Sequence, residues 1–492
     1  MSWFFIITLF LFFLLRLPSL FEPLWYGDEG IYQAIGMALN NGSLLYKDIW
    51  DNKPPLLYLV YALFHSDQFT VRLVSLIFGL LSVPVFFFLS KKLFSNLSGS
   101  RKIYFFTTSI FALLFALPIL EGNIANAENF MLLPILLAAL LIFPRTETNF
   151  PAKQDLAPRD KLFLAGILLG LAFLFKIVAV FDFLAFSVFF LVISLPHKLD
   201  LHLQKEKKYF IWVVKKTTPF ILGFLLPILI VVIFFVINGA IVDFLRATFS
   251  SNIGYVGYGN KLLTPFGLLF IKLALLLGFV VFLFMKRLHL KPTTIFILTW
   301  FAFSLFNAFF AERPYTHYLL TLLPSFVLMI GLIFWDKKYQ KIKLIFLFLV
   351  LVLILKNFNF YGKTTNYYQN FTSFILGQKS VSSYRAFFDR RTPIDYEIAM
   401  FIKSKIKEGD SIFVWGNNAQ LYKMTESIPL SKYIVAYHIT GYKDGLANTR
   451  ELIERTKPKF IIIMPGQAPI PFRLTRYTES FNINNVSIYE IF

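Results

Sequence analysis

The run Trp3-Phe4-Phe5-Ile6-Ile7-Thr8-Leu9-Phe10-Leu11-Phe12-Phe13-Leu14-Leu15-Arg16-Leu17-Pro18-Ser19-Leu20-Phe21 carries one charge, Arg16, close to its far end. A stretch of that length and polarity crosses a hydrocarbon layer of about 30 Å as a helix. It has no basic n-region, and Pro18, Glu22 and Pro23 leave no small-x-small cleavage site, so it reads as a retained membrane helix and not as a signal peptide. Similar runs at approximately 69–90, 103–120, 129–144, 162–179, 181–195, 218–237, 265–285, 293–310, 317–335 and 344–360 predict about eleven spanning helices. Lys176 and Asp182 interrupt the stretch 162–195, which reads either as two tightly connected spans or as one span plus an interfacial segment. The charge alternation that continues after it favours the hairpin.

Composition agrees. Of 492 residues, 57% are hydrophobic and 62 are Phe, and the mean hydropathy of +0.65 is that of a polytopic helical membrane protein. The absence of cysteine excludes disulfides, thiolate catalysis and zinc fingers. A formal charge of +20 raises nucleic acid as a partner, but the cations alternate with the spans. The loops carrying Lys91–Lys102, Arg145–Lys161, Lys198–Lys216, Lys286–Lys291 and Lys337–Lys343 hold about 21 Lys and Arg, whereas Lys47, Lys53, Arg246, Lys261 and Arg313 are about 5 on the other side. The charge therefore reports orientation, not nucleic acid: N-terminus inside, the Asp28 loop outside and the C-terminal region outside.

From about residue 361 charges rise and short β-rich runs alternate with amphipathic helices. This predicts a soluble α/β domain over 361–492 after a membrane domain over 1–360. Glu397–Lys407 and Asn448–Thr456 read as helices, and Ser411–Trp415, Phe460–Met464 and Val486–Phe492 as strands.

The chemistry-bearing residues gather in the external loops. The first holds Trp25-Tyr26-Gly27-Asp28-Glu29-Gly30-Ile31-Tyr32, then Leu45-Tyr46-Lys47-Asp48-Ile49-Trp50-Asp51-Asn52-Lys53-Pro54-Pro55-Leu56. Carboxylates beside a span need water, a partner or a ligand; Asp28 and Glu29 also suit the first turn of an interfacial helix, expected over Ile31–Asn40 and ending at Asn41-Gly42. The two prolines exclude a helix before them and set Lys53 on a stiff turn at the interface, suited to a lipid phosphate or to snorkelling. The second loop, Glu121-Gly122-Asn123-Ile124-Ala125-Asn126-Ala127-Glu128-Asn129, has carboxylates and amides that either serve a ligand or cap the next helix. The third, Ala311-Glu312-Arg313-Pro314-Tyr315-Thr316-His317-Tyr318, offers a guanidinium fork and an imidazole to an anion. Arg16 and Lys176, at membrane depth, pair with a carboxylate or phosphate or snorkel. Loop 239–262, with Tyr255 and Gly257, has the aromatics and glycines of a mobile sugar or acceptor contact.

Asp-Glu-x-x-Tyr, Asn-Gly-x-Leu-x-Tyr-x-Asp and Lys-Pro-Pro-Leu within one external loop resemble the polyprenyl-phosphate-dependent membrane glycosyltransferases of the GT-C fold, the group of the protein O-mannosyltransferases and aminoarabinose transferases. The resemblance covers residues 1 to about 340 and is densest in 16–60. It implies a transferase moving a sugar from a polyprenyl phosphate or pyrophosphate to a glycan, lipid or protein acceptor at the outer face of the cytoplasmic membrane, with inversion. It further implies Asp28 as the acidic residue essential for catalysis, a general base toward the acceptor, with Glu29 beside it, Lys53 as the donor-phosphate ligand, Arg313 and His317 as further phosphate contacts, and Glu128 with Asn126 as the second acidic site. A divalent cation, Mg, Mn or Zn, would be held by Asp28 and Glu128. The lipid A transferases carry Glu directly before the lysine where this chain has Asn52, which sets it apart from them. A transporter or lipid-linked-sugar flippase is the competing class; its charges would sit at midplane, whereas these gather at one face.

Overall fold

The computed structural model describes residues 2–95, 100–143, 157–194 and 203–492; Arg145, Lys153 and Lys198 lie outside the described residues. Every predicted span falls on a helix: Ser2–Arg16, Gln68–Phe94, Ser100–Ala116, Ala127–Ile142, Arg159–Phe175, Val180–Ser194, Leu203–Ile237, Gly267–Lys286, Pro292–Ala308, Tyr318–Trp335 and Gln340–Asn357. Trp3–Phe21, Gln68–Phe94, Ile177–Ser194, Thr217–Ile237, Gly267–His289 and Tyr318–Trp335 are long and apolar enough to cross a membrane, while Ala127–Ile142 and Pro292–Ala308 are apolar but shorter. Ile230, Phe270 and Leu275 are more than half exposed. In water such surfaces drive association; here they are faces for lipid, and the chain is a multi-pass membrane protein.

Two compact units divide the chain. One comprises Met1–Arg16, Ser75–Ile237 and Ser250–Gly362; the other comprises Leu17–Val74, Asn238–Phe249 and Lys363–Phe492.

Within the first unit the apolar stretch around residue 176 breaks into two helices. Arg159–Phe175 stops where Lys176 turns extended, with φ −156° and ψ 127°, and one 3-10 turn leads into Val180–Ser194. Between helices 159–175 and 203–237, glycines set the approach: a Cβ on Gly166 would lie 2.2 Å from the Phe220 carbonyl oxygen, and one on Gly223 2.1 Å from that of Phe163. Lipid gives no hydrophobic drive between helices, so such backbone contact supplies the packing energy. Trp300 Nε1 donates to Oδ1 of the buried Asp182 at 2.7 Å, satisfying the indole N–H in an apolar bundle.

The second unit is the α/β part together with the loop that follows the first span and the short segment Asn238–Phe249. Its sheet has strand order β1-β2-β4-β3, from β1 (Ile412–Trp415), β2 (Phe460–Ile463), β3 (Tyr477–Ile483) and β4 (Val486–Ile491). β1 and β2 are parallel, with Ile412 opposite Phe460; β2 and β4 are antiparallel, with Phe460 opposite Glu490. β3 was not expected from sequence; Glu479 interrupts the alternation of its half-buried Tyr477, Phe481 and Ile483, and Asn484 and Asn485, both at positive φ, close it as a hairpin onto β4.

The interfacial helix begins earlier than expected, at Gly27, which puts Asp28 and Glu29 in its first turn. It packs directly on helix Gln420–Thr425, where a Cβ on Gly30 would lie 2.6 Å from the Gln420 backbone nitrogen. Trp50 N–H donates to the Lys432 carbonyl at 2.9 Å. The segment read as loop 239–262 is mostly helical instead, formed by Ile241–Leu245, a π-helical turn Arg246–Ser250 and Ser251–Gly259.

Candidate functional site

Each unit carries a cluster of charged and aromatic side chains. In the second unit the cluster centres on Lys53, in the bend before helix Leu56–Leu63. Its Nζ lies 3.7 Å from Asp28 Oδ2 and 3.7 Å from Asp51 Oδ2, and 4.8 Å from the centre of the Tyr32 ring. Tyr46 OH donates to the Lys53 carbonyl at 2.7 Å, and Lys53 N–H to Tyr58 OH at 3.2 Å, so the lysine backbone is held from both sides. The two carboxylates differ: the Asp28 side chain is 40% exposed and accepts from Tyr32 OH at 3.1 Å, whereas that of Asp51 is 4% exposed and accepts from Tyr58 OH at 2.7 Å and Asn52 N–H at 2.8 Å.

A histidine far along the chain completes the group. His438 Nε2 lies 4.0 Å from Asp51 Oδ1, and the His438 ring meets Trp50 edge-on at 4.9 Å. Burial pushes His438 down to about 4 against the pull of Asp51, so it is neutral at pH 7. Burial pushes the Asp51 carboxyl up, but Lys53, His438 and the bonds from Tyr58 and Asn52 outweigh it and hold it below the usual range. With His438 neutral at pH 7, Lys53 and those bonds do that work there.

Glu29, expected beside Asp28 as catalytic, is buried instead against Arg72, which grips both its oxygens. Arg72 also donates to the Ser19 carbonyl at 2.6 Å and lies 3.0 Å from Glu22, whose other oxygen accepts from Tyr367 OH at 2.6 Å. An arginine just inside a span is a readable signal, since a buried cation at membrane depth needs partners; the sequence reading passed over it.

The first unit's cluster centres on Glu128, in the first turn of helix Ala127–Ile142. It is ion-paired to Lys176, and His317 Nε2 stands 3.9 Å from it. His317 Nδ1 lies 3.0 Å from Glu121 Oε2, and Thr316 Oγ1 donates to Glu121 Oε1 at 2.8 Å. Glu121, one of the loop carboxylates for which the sequence left ligand and cap open, belongs to this network, and Lys176 takes the pairing reading. Asn126 occupies the N-cap position but makes no capping bond with its side chain, which is buried. Lys176 Nζ sits 4.3 Å from the Tyr318 ring centre, Arg313 lies 4.5 Å over Tyr255, and Tyr255 OH and Tyr318 OH are 3.1 Å apart. Arg16, also in this unit, is buried and donates to Ser75 Oγ at 3.2 Å.

Asp28 and Glu128, the carboxylates expected to hold a cation, each face a lysine ammonium, and among the described residues no three His, Asp or Glu side chains group as a metal site. Carboxylates already supplied with a counter-ion fit a divalent cation poorly.

Residues 53–230 match the family model described as dolichyl-phosphate-mannose-protein mannosyltransferase, a match that starts at Lys53 and takes in Glu121, Asn126, Glu128 and Lys176. The chain is similar in structure to ArnT from Cupriavidus metallidurans bound to undecaprenyl phosphate, with a TM-score of 0.54, 14% identity, and coverage of 98% of this chain and 97% of that one. The apo form of the same protein gives a TM-score of 0.53 at 14% identity, again over 98% and 97%. The apo oligosaccharyltransferase of Archaeoglobus fulgidus gives 0.45 at 12% identity over 93% and 69%. Comparison with curated proteins gives no sequence match. The likeness to ArnT runs almost end to end and establishes a GT-C-like fold for the chain.

Proposed function

We propose that this protein is an integral-membrane glycosyltransferase that moves a hexosyl or pentosyl group from a polyprenyl phosphate or pyrophosphate to an acceptor at the outer face of the cytoplasmic membrane. The observation that carries this reading is the Lys53 ammonium flanked at 3.7 Å by a partly exposed and a buried carboxylate. The family match and the ArnT-like fold support it.

Asp28 is the base. It takes the proton of an acceptor hydroxyl or amine as the acceptor oxygen or nitrogen bonds the anomeric carbon; the bond from that carbon to the phosphate oxygen breaks, and the lipid phosphate leaves with the electron pair. Attack opposite the leaving group inverts the anomeric centre. Lys53 compensates the charge growing on the departing phosphate, and Asp51, locked by Tyr58, fixes the ammonium. Glu29 positions Asp28 through its grip on Arg72. Arg313 and His317 are assigned to phosphate contact, and Glu128 with Asn126 to donor contact, each to be tested singly. Residues 1–360 form the membrane catalytic domain and 361–492 an extracytoplasmic α/β domain, with the N-terminus inside.

The test is turnover of labelled polyprenyl-phosphate sugars by the protein in liposomes. Wild type is expected to release or transfer sugar, and Asp28→Asn and Lys53→Ala to lose that turnover; lipid movement across the bilayer with no glycosidic cleavage would overturn the assignment.

A further inference from the structure

The C-terminal part of the chain reaches the Lys53 cluster through one short helix, Ala436–Gly441. Its Ala436 N–H donates to the Gly416 carbonyl at 2.9 Å, immediately after β1 ends at Trp415. This is the carboxyl edge of the parallel β1/β2 pair, the edge at which open α/β sheets leave a crevice for ligands. Two residues there are turned outward. Tyr437 is 50% exposed, and Asn417 is exposed and its Oδ1 accepts the Tyr437 backbone N–H at 3.3 Å, which ties the amide to the backbone that carries the phenol. The Tyr437 ring lies 4.3 Å from that of His438, and His438 lies 4.0 Å from Asp51, which is 3.7 Å from Lys53. A flat aromatic face and a primary amide at this sheet edge, linked through His438 and Asp51 to Lys53, are the chemistry that recognises a polyhydroxylated ring: C–H faces stack on the phenol and hydroxyls bond the amide.

We propose that Asn417 and Tyr437, held by His438, form the subsite for the sugar ring of the lipid-linked donor. The proposal rests on the reading of Lys53 as the donor-phosphate ligand. It gives the α/β part a direct role in choosing the sugar. His438 acts as a positioning residue: neutral and buried, it braces Tyr437 on one side and Asp51 on the other.

Binding of bare undecaprenyl phosphate and of its mannosyl, glucosyl and galactosyl derivatives to the full-length protein tests this. Wild type is expected to bind at least one sugar-bearing lipid about tenfold more tightly than the bare phosphate, the worth of roughly one good hydrogen bond. Tyr437→Ala and Asn417→Ala should collapse that preference towards unity and leave the bare-lipid affinity unchanged, with unaltered thermal unfolding. Wild type without any sugar preference, or variants that retain it, would overturn the proposal. So would variants whose acceptor KM alone rises, since the subsite would then serve the acceptor. Lys53→Ala separates the two levels: undiminished binding of bare undecaprenyl phosphate would sink the phosphate reading itself.

Discussion

The Lys53 and Lys176 clusters are built from the same residue types, a lysine, two carboxylates, a histidine and tyrosines, yet they differ in which group meets solvent. Around Lys53 the carboxylate Asp28 is open and its lysine partly so, at 40% and 20%. Around Lys176 the carboxylate Glu128 is closed, at 3%, and tied directly to the ammonium. An open carboxylate can accept a substrate proton; a closed, paired one is held in place by its counter-ion. On the proposed reading the Lys53 cluster carries the chemical step, while the Lys176 cluster offers a fixed, pre-paired contact to the donor.

The sharpest way to break this contrast is to remove the carboxylates. Asp28→Asn is expected to lower kcat by about 10²–10⁴, the span of general-base catalysis, with donor KM little changed. Glu128→Gln should act on stability and donor KM, with kcat closer to wild type. A kcat loss in Glu128→Gln as deep as in Asp28→Asn, at equal stability, would erase the distinction.

Removing the lysines inverts the test. Lys176→Met leaves buried Glu128 without its counter-ion and is expected to cost about 3–5 kcal/mol in unfolding measurements, most of it recovered in Lys176→Met/Glu128→Gln. Lys53→Met should cost less, since Asp28 is hydrated and Asp51 keeps its bonds to Tyr58 and Asn52.

Acid titration resolves the second unit further. His438, lowered by burial to about 4, favours folding above its ordinary 6.5, and that contribution is lost as pH falls towards 4. Asp395 is raised by burial to about 6 despite bonds from Asn418 and Gln420, so folding takes up its proton and stability is gained as pH falls from 6 towards 3.8. The two slopes oppose each other, each worth about 3 kcal/mol at most. His438→Gln should therefore become more stable from pH 6 to 4, and Asp395→Asn less stable over the same window, in denaturant titrations.

The smallest expected effects come from two glycines. Gly166→Ala drives a methyl against the Phe220 carbonyl oxygen and Gly30→Ala against the Gln420 nitrogen, each costing about 1–3 kcal/mol by overpacking. Only Gly30→Ala is expected to lower kcat as well, because Gly30 lies two residues from Asp28 on the same turn.

Long apolar runs made the helices legible, and the buried β1 and β2 announced themselves as short apolar blocks. Asp28 and Lys53 were legible because their motif is local. His438 was not, for no local pattern links it to a lysine nearly the whole chain away. For Glu121 the loop leaves ligand and cap open, because its partner, His317, comes from another segment. Arg72 was readable as a lone cation in an apolar span, but its partners Glu22 and Glu29 were not, and β3 was hidden because Glu479 and a bulge interrupt the alternation of Tyr477, Phe481 and Ile483.

The central claim, that Asp28 performs the chemical step beside Lys53, is most directly tested by single-turnover sugar transfer from a polyprenyl-phosphate donor that wild type turns over, with enzyme in excess, comparing wild type with Asp28→Asn. Unchanged donor binding and a transfer rate lower by at least about a hundredfold are expected for Asp28→Asn. A folded Asp28→Asn protein that transfers sugar at the wild-type rate would contradict it.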